Sequence, residues 1–300
     1  IADVYGRLTG KAGVCLATLG PGATNLITGV ADANMDRAPV VAITGQADTR
    51  RLHKESHQAM DVIGMFRPVT KWSQSVFHPE NIPEIVRKAF KLAEAEKPGA
   101  VLIELPEDLA EEDVKGKALP QVRTRRPAAD HKAVAEAVDL ILKAKNPMVI
   151  AGNGAVRKRA ARQLRRFARK TGIGVANTFM GKGAVAMSDP HCLFTIGLQA
   201  RDYVNLALDE CDVVIAVGYD LVEYSPVLWN KAGSKKIVHI DFAPAEIDEH
   251  YPVTVDVVGD IADALWQINE LINAKRGSNL PVFDIAKRAV SHGIRVALAT

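Results

Sequence analysis

The sequence has few of the features that place a protein in a membrane, in an oxidising compartment or on a nucleic acid. Its 3 cysteines are far apart and lie in apolar segments, so we expect packed, reduced thiols. Apolar runs stay shorter than the ~18 residues of a membrane span, and the opening segment lacks the pattern of a signal peptide. A cytoplasmic protein with no membrane partner is therefore expected. The net charge of +3 is too small to indicate nucleic-acid binding.

The chain has 300 residues, of which 48% are hydrophobic, and this is enough for roughly two domains. Short β-branched runs alternate with helical patterns along its whole length. Strands are predicted at 14–18, 40–44, 100–105, 148–151, 213–217 and 237–241. Continuous apolar runs of this kind are typical of strands covered on both faces. The predicted fold class is α/β, with two three-layer α/β/α domains built on parallel sheets.

A segment without a periodic apolar face separates the two halves. Residues 106–130 contain 3 prolines and charges of both signs, which indicates a linker. We expect a first domain at 1–115, a linker at 116–127 and a second domain at 128–274. Residues 275–300, with a helical pattern at 281–299, would then lead toward a further domain.

The most informative segment is the Gly-Pro-Gly turn at the start of Gly20–Asn25. It follows the first predicted strand and precedes a helix predicted from near Ala23. Such a turn brings backbone N–H groups and a helix N-terminus close to a small polar ligand. Glycine is also common in the strand-to-helix turns of any doubly wound domain, so both interpretations are open.

A second glycine turn, Ala151–Ala155, resembles a nucleotide-binding turn in its position after a strand. The dinucleotide fingerprint fails because Arg157 occupies the third glycine position. It also fails because no acidic residue follows about 20 residues later. We therefore expect no binding of NAD.

Residues 157–170 are strongly basic. Ala160, Leu164, Phe167 and Thr171 nevertheless fall on one face at helical spacing, which leaves the cations on the opposite face. A solvated helix is favoured over a nucleic-acid or membrane surface, because no aromatic residues are interleaved for base stacking.

Longer stretches resemble a known family. Residues 5–46, 57–73 and 98–109 resemble the pyrimidine-binding domain of thiamine-diphosphate-dependent enzymes, and acetolactate synthases most of all. The resemblance continues at 177–185, 212–220, 236–241 and 256–260, which are similar to the central domain of the same enzymes.

The resemblance implies thiamine diphosphate as the cofactor. Pro21, Gly22, Asn25 and Gln58 match the family's pyrimidine-side residues. The family's catalytic glutamate is expected just upstream of Ile1, so no catalytic residue is assigned within the chain.

His57 and Lys71 are weaker candidates for contact with the substrate. His53, Glu55 and His57 could also be taken as a metal site, but this spacing shares a face only in a strand, and neighbouring arginines disfavour a cation. For Lys71 the alternative is a solvated lysine at the end of a strand.

The resemblance also implies Mg²⁺, held in the family by a Gly-Asp-Gly motif and a later asparagine on a third domain. That motif is absent from the sequence. FAD, which flavin-containing relatives bind through an Arg-Phe-Asp-Asp-Arg segment, is doubtful, because Tyr219–Tyr224 lacks both arginines. The chain is thus most similar to the catabolic, flavin-independent type.

The expected function is that of a fragment of an acetolactate synthase. The parent enzyme would condense two pyruvates with loss of CO2 to 2-acetolactate through a thiamine-diphosphate enamine, as a homodimer or homotetramer. The chain alone is predicted to be inactive. The alternatives are another thiamine-diphosphate decarboxylase or carboligase, a nucleotide-binding module for ADP or FAD, or a non-catalytic interaction piece.

Overall fold

The computed structural model describes residues 1–114, 116–121, 125–197 and 203–274. The chain divides into two compact units, Ile1–Thr124 and Arg125–Thr300. The bounds given above for the domains and the linker stay a prediction. The segment 275–300, including the predicted helix 281–299, lies outside the described residues.

The first unit alternates strands and helices. Its strands are β1 (Gly13–Ala17), β2 (Val40–Gln46), β3 (Trp72–Ser75) and β4 (Ala100–Pro106). Its helices are α1 (Ala2–Thr9), α2 (Pro21–Met35), α3 (Val62–Phe66), α4 (Ile82–Glu94) and α5 (Glu107–Ala110). Pro21 opens α2, where its fixed φ suits the helix and its missing N–H costs no bond. Asp61 caps α3 by accepting a hydrogen bond from the Gly64 N–H at 2.7 Å.

The four strands form a parallel sheet in the order β1-β2-β4-β3. Alternate residues of the central strands face opposite sides: Val40 packs with α2 and α3, whereas Val41 packs with α4. Both sides of the sheet are therefore covered by helices, as predicted.

Strand β1 is the outermost strand on one side of this sheet as described. Its side chains are less covered than those of β2, with Val14 50% and Leu16 75% exposed. In the part of the chain that the structure describes, this edge therefore pairs with no further strand and carries exposed apolar side chains.

The second unit is larger. Its strands are β5 (Pro147–Ala151), β6 (Val175–Thr178), β7 (Cys192–Ile196), β8 (Val213–Val217), β9 (Lys236–Asp241) and β10 (Val253–Val258). Its helices are α6 (His131–Lys143), α7 (Lys158–Thr171), α8 (Tyr203–Glu210) and α9 (Ile261–Ala274). Asp130 caps α6 through the Ala133 N–H, and Gly172 ends α7 in the left-handed region at φ 74°.

The second sheet is also parallel, in the order β10-β9-β8-β5-β6-β7. The chain runs from β5 to β6 and β7 on one side and returns to β8, β9 and β10 on the other. The strand order therefore reverses between β5 and β8, and doubly wound sheets bind ligands outside the carboxyl ends of strands at such a point.

Helices α6, α7 and α9 cover one face of the second sheet, and α8 covers the other together with buried aromatic side chains. On α7, the predicted apolar face is confirmed: Ala160, Leu164, Phe167 and Thr171 are all buried. The cations Arg162 and Arg169 lie on the exposed side. The strongly basic segment is thus an amphipathic helix packed on a sheet.

The fold class is confirmed in both units. Two local predictions need correction. The segment 106–130 is not irregular throughout, because Pro106 ends β4 and α5 follows it with Leu109 buried. Helix α2 begins at Pro21 rather than near Ala23. The cysteines are free, with Cys192 and Cys211 buried and Cys15 partly buried.

Within the described ranges, no helix combines the length and the apolar character that crossing a bilayer requires.

The packing of α7 can be tested by a pair of alanine substitutions. Leu164→Ala removes a fully buried side chain and is expected to lower the free energy of unfolding by about 2–5 kcal/mol. Arg162→Ala, on the exposed side of the same helix, is expected to change it by less than about 0.5 kcal/mol. Urea denaturation measures both. Equal effects of the two substitutions would contradict the described orientation of α7.

Candidate functional site

The Gly-Pro-Gly turn lies at the carboxyl edge of the first sheet. It follows the end of β1, and the ends of β2 and β4 lie at the same edge because the strands are parallel. Gly20 adopts φ 56°, a conformation that glycine reaches without steric cost, and α2 starts at the next residue. The turn is therefore sharp and presents the first turn of α2 at this edge.

The structure brings Gln58 against this turn. A β carbon on Gly20 would lie 2.5 Å from the carbonyl oxygen of Gln58 and 2.9 Å from its Cβ. Gln58 itself has φ 57°, which is uncommon for a residue with a side chain. The two segments, 38 residues apart in sequence, are thus in close backbone contact only because residue 20 is glycine.

A buried amide holds the Gln58 segment to the sheet. The Gln46 side chain, at the end of β2, donates from Nε2 to the Met60 carbonyl at 2.9 Å and to Oε2 of Glu104 at 3.2 Å. Its Oε1 accepts from the Ala47 N–H at 2.9 Å. Gln46 therefore uses both ends of its amide to position the chain that carries Gln58.

Glu104 is the other half of this buried pair. It lies near the end of β4 and is 4% exposed, and burial raises the pKa of its carboxyl above the usual range. Neither Gln46 nor Glu104 was among the site residues predicted from the sequence. The signal that would have found them is a polar residue near the carboxyl end of an otherwise apolar buried strand.

The predicted cofactor-side residues are accessible in this unit. Pro21, Asn25 and Gln58 are exposed, and Gly22 is half-buried. The set combines two amides and an apolar ring and contains no cation. Such groups suit the edge and face of an uncharged heterocycle better than a phosphate.

His57 lies beside Gln58 in the irregular segment between β2 and α3 and is exposed, as are His53 and Glu55. Among the described residues, no group of three or more His, Cys, Asp or Glu side chains could hold a metal ion. The structure thus leaves His57 at the same edge as the Gly20 turn, and a role in binding substrate stays a prediction.

Lys71 is placed elsewhere. It precedes β3 and therefore lies at the amino edge of the sheet, opposite to the Gly20 turn. Its Nζ donates to the carbonyls of Leu92, Ala95 and Lys97 at 2.7, 2.8 and 2.6 Å. These carbonyls lie at or just beyond the C-terminal end of α4, where a cation is favourable.

Lys71 therefore is not brought together with Pro21 and Gln58. Its ammonium group is not freely solvated either, since three carbonyl oxygens surround it. The geometry gives it the role of tying the end of α4 to the start of β3.

Gly20→Ala tests the contact between the turn and Gln58. The new β carbon would overlap the Gln58 carbonyl and force a left-handed alanine, so we expect a loss of about 2 kcal/mol or more in unfolding free energy. The control is Gly29→Ala in α2, where a β carbon meets nothing within 4 Å and a gain of about 0.5–1 kcal/mol is expected. Thermal unfolding compares them. A Gly20→Ala protein as stable as the parent would show that the turn is looser than described.

Lys71→Met tests the role of the lysine. Loss of three hydrogen bonds to partly exposed carbonyls is expected to cost about 1–3 kcal/mol in urea denaturation. Lys91→Met, at an exposed position on α4, is the matched control with an effect below about 0.5 kcal/mol. A normal stability combined with a raised KM for substrate in the longer enzyme would instead support contact of Lys71 with the substrate.

Two family descriptions match the chain. Residues 1–65 match the N-terminal TPP binding domain of thiamine pyrophosphate enzymes, and residues 134–268 match their central domain. The first match contains the Gly20 turn and Gln58, and the second contains all six strands of the second sheet.

Curated relatives carry consistent names. A probable acetolactate synthase large subunit of Methanocaldococcus jannaschii is 36% identical over 279 residues, 88% of this chain and 46% of the relative. Acetolactate synthase 2, chloroplastic, of Nicotiana tabacum is 38% identical over 286 residues, 92% of this chain and 42% of the relative. A catabolic acetolactate synthase of Raoultella terrigena is 38% identical over 275 residues, 91% of this chain and 49% of the relative.

The chain spans about half the length of the curated relatives that it matches. Its two parallel-sheet units and the glycine turn at the edge of the first agree with the regions that the family descriptions match. The chain therefore belongs to the thiamine pyrophosphate enzyme family.

Proposed function

We propose that this chain forms the pyrimidine-binding side and the central unit of an acetolactate synthase. The observation that carries the proposal is the seating of the Gln58 backbone against Gly20. This contact brings the exposed Gln58 residue to the edge where α2, which carries the exposed Asn25, begins. The matches to the thiamine pyrophosphate family support it, as do the names of the relatives.

The residues at this edge fit one end of thiamine diphosphate. The Asn25 and Gln58 amides offer donors and acceptors for the edge of the aminopyrimidine, and the Pro21 ring offers an apolar surface. Among the described residues, no group of three or more His, Cys, Asp or Glu side chains could hold a metal ion for the diphosphate end. The proposal therefore assigns only the pyrimidine end to this chain, and Mg²⁺ to residues that are not among those described.

When bound, thiamine diphosphate supplies the stabilised carbanion chemistry that breaks the bond between the carboxylate and carbonyl carbons of a 2-oxo acid. This chain's own residues orient the ring. Gly20 allows the Gln58 backbone to approach, and Gln46 fixes the segment behind it. Gly22 admits the Thr18 side chain, whose Cγ2 would lie 2.6 Å from a β carbon at residue 22. Orientation of this kind matters because small misplacements of reacting groups are costly in rate.

The remaining parts of the proposal concern the whole enzyme. The substrate is pyruvate, two molecules of which give 2-acetolactate and CO2, and the enzyme acts as a homodimer or homotetramer in the cytoplasm. His57, at the same edge as Gln58, is the candidate for contact with the substrate carboxylate. Another thiamine-diphosphate carboligase activity is the alternative that the assay below distinguishes.

The proposal is tested in the longer enzyme that contains this chain. With thiamine diphosphate, Mg²⁺ and pyruvate, formation of 2-acetolactate is expected. Asn25→Ala and Gln58→Gly are each expected to weaken cofactor binding roughly 2- to 12-fold, the effect of losing one neutral hydrogen bond. Glycine is chosen at position 58 because the backbone there is left-handed.

Asn81→Ala is the matched control, since this exposed amide makes no capping bond to α4. It is expected to leave cofactor affinity unchanged. The absence of acetolactate would reject the activity, whereas activity with unaltered cofactor affinity in both variants would reject the assigned residues alone.

A further inference from the structure

The second glycine turn, Gly152–Gly154, lies at the point where the strand order of the second sheet reverses. It follows β5, and the turn that follows β8 begins at Gly218. In doubly wound domains a nucleotide binds in the crevice between two such turns. The residues that occupy the crevice in this chain therefore determine whether the second unit can bind a nucleotide there.

The two turns are in direct backbone contact. The Gly154 N–H donates to the Gly218 carbonyl at 2.8 Å, and the Gly152 N–H donates to the Val217 carbonyl at 3.0 Å. A β carbon on Gly218 would lie 2.4 Å from the Gly154 Cα, and one on Gly154 would lie 2.6 Å from the Gly218 Cα. The glycines of this motif thus let the two turns approach each other.

A carboxylate of the chain itself completes the crevice. Glu223 is 8% exposed and follows the Gly218 turn. Its two carboxylate oxygens accept from the Asn153 N–H at 3.0 and 3.1 Å, and Oε1 also accepts from the Asp220 N–H at 3.0 Å. A β carbon on Gly152 would lie 2.8 Å from Oε1, so this glycine admits the carboxylate.

A third strand end contributes to the same network. The Thr178 hydroxyl, at the end of β6, donates to Oε2 of Glu223 at 2.5 Å and accepts from the Gly181 N–H at 2.8 Å. In a dinucleotide-binding domain the corresponding place carries an acidic residue for the ribose. Here the corresponding place carries Thr178, whose hydroxyl donates to the buried carboxylate of Glu223.

Arg157 closes the other side of the turn. It occupies the third position of the glycine pattern and bonds to the carbonyl of Asn153 and, at 2.7 Å, to its side-chain oxygen. Burial raises the pKa of the Glu223 carboxyl above its usual range, and the bonds from Thr178 and from the two backbone N–H groups, which favour the charged form, offset part of this rise.

We propose that Glu223 is the resident anion of this crevice, holding the place that a nucleotide phosphate takes in doubly wound domains. The central unit consequently binds no flavin or adenine nucleotide there. Removing the carboxylate leaves a site for a small anion, bounded by the Asn153 and Asp220 N–H groups and the Thr178 hydroxyl. This inference is independent of the activity proposed above.

Chemical rescue tests the proposal. Glu223→Ala is expected to lower the Tm, and sodium formate, whose carboxylate can replace the missing one, is expected to raise it by roughly 2–4 °C above sodium chloride at the same ionic strength. Inorganic phosphate is the second probe. The parent protein and Glu246→Ala, an exposed glutamate, are expected to show no difference between formate and chloride. An equal response of all three proteins would overturn the anion site.

A folding failure is covered by a second readout. If Glu223→Ala is insoluble in chloride, recovery of folded protein in formate alone supports the proposal. If it is recovered in neither salt, Glu223→Gln decides. Its amide oxygen can replace Oε1, but its amide nitrogen then takes the place of Oε2, which accepts from the Thr178 hydroxyl and the Asn153 N–H, so a lower Tm is expected. A glutamine variant as stable as the parent would overturn the proposal.

The parent protein is also mixed with FAD and with ADP. No retained flavin absorbance and no thermal shift are expected. Retention of FAD by the parent protein, abolished by an arginine placed at Gly154 (Gly154→Arg), would show that the crevice is open and would overturn the inference.

Discussion

Both units depend on backbone segments that approach more closely than a β carbon allows. In the first unit the Gln58 carbonyl lies where a side chain on Gly20 would begin, and in the second the Gly154 and Gly218 turns touch through their α carbons. Such contacts lie at the carboxyl edges of parallel sheets, where the turns after neighbouring strands converge. Glycine at these places allows the two segments to come into contact, and this contact determines which side chains lie at each edge.

The two edges differ in which polar groups remain accessible to a ligand. At the edge of the first sheet, the buried groups Gln46 and Glu104 lie behind the turn and leave Asn25 and Gln58 exposed to solvent. At the edge of the second, Glu223 lies within the turn and uses the available N–H donors itself. One fold class therefore yields an edge with two exposed amides and an edge filled by a carboxylate, because function resides in the site rather than in the fold.

The sequence predicted the features that depend on local pattern. The β-branched runs marked the central strands, the spacing of Leu164 and Phe167 identified the buried face of α7, and the Gly-Pro-Gly turn was recognised between a strand and a helix. The features that it missed depend on contacts between residues distant in the chain. Glu223 and Thr178 are 45 residues apart, and Lys71 meets the Leu92 carbonyl 21 residues away. Hydrogen bonds from a charged side chain to backbone carbonyls produce no periodic pattern in the sequence. Lys71 was therefore predicted to contact substrate or to lie in solvent.

The outer edge of the first sheet has a practical consequence. Among the described strands, β1 pairs with β2 alone, and its Val14 and Leu16 side chains are exposed. Proteins usually protect such edge strands with charge, proline or a covering segment. An uncovered edge strand pairs with strands of other molecules through main-chain hydrogen bonds. Protein concentration, as much as temperature, will then govern how long a solution of the isolated chain stays dispersed.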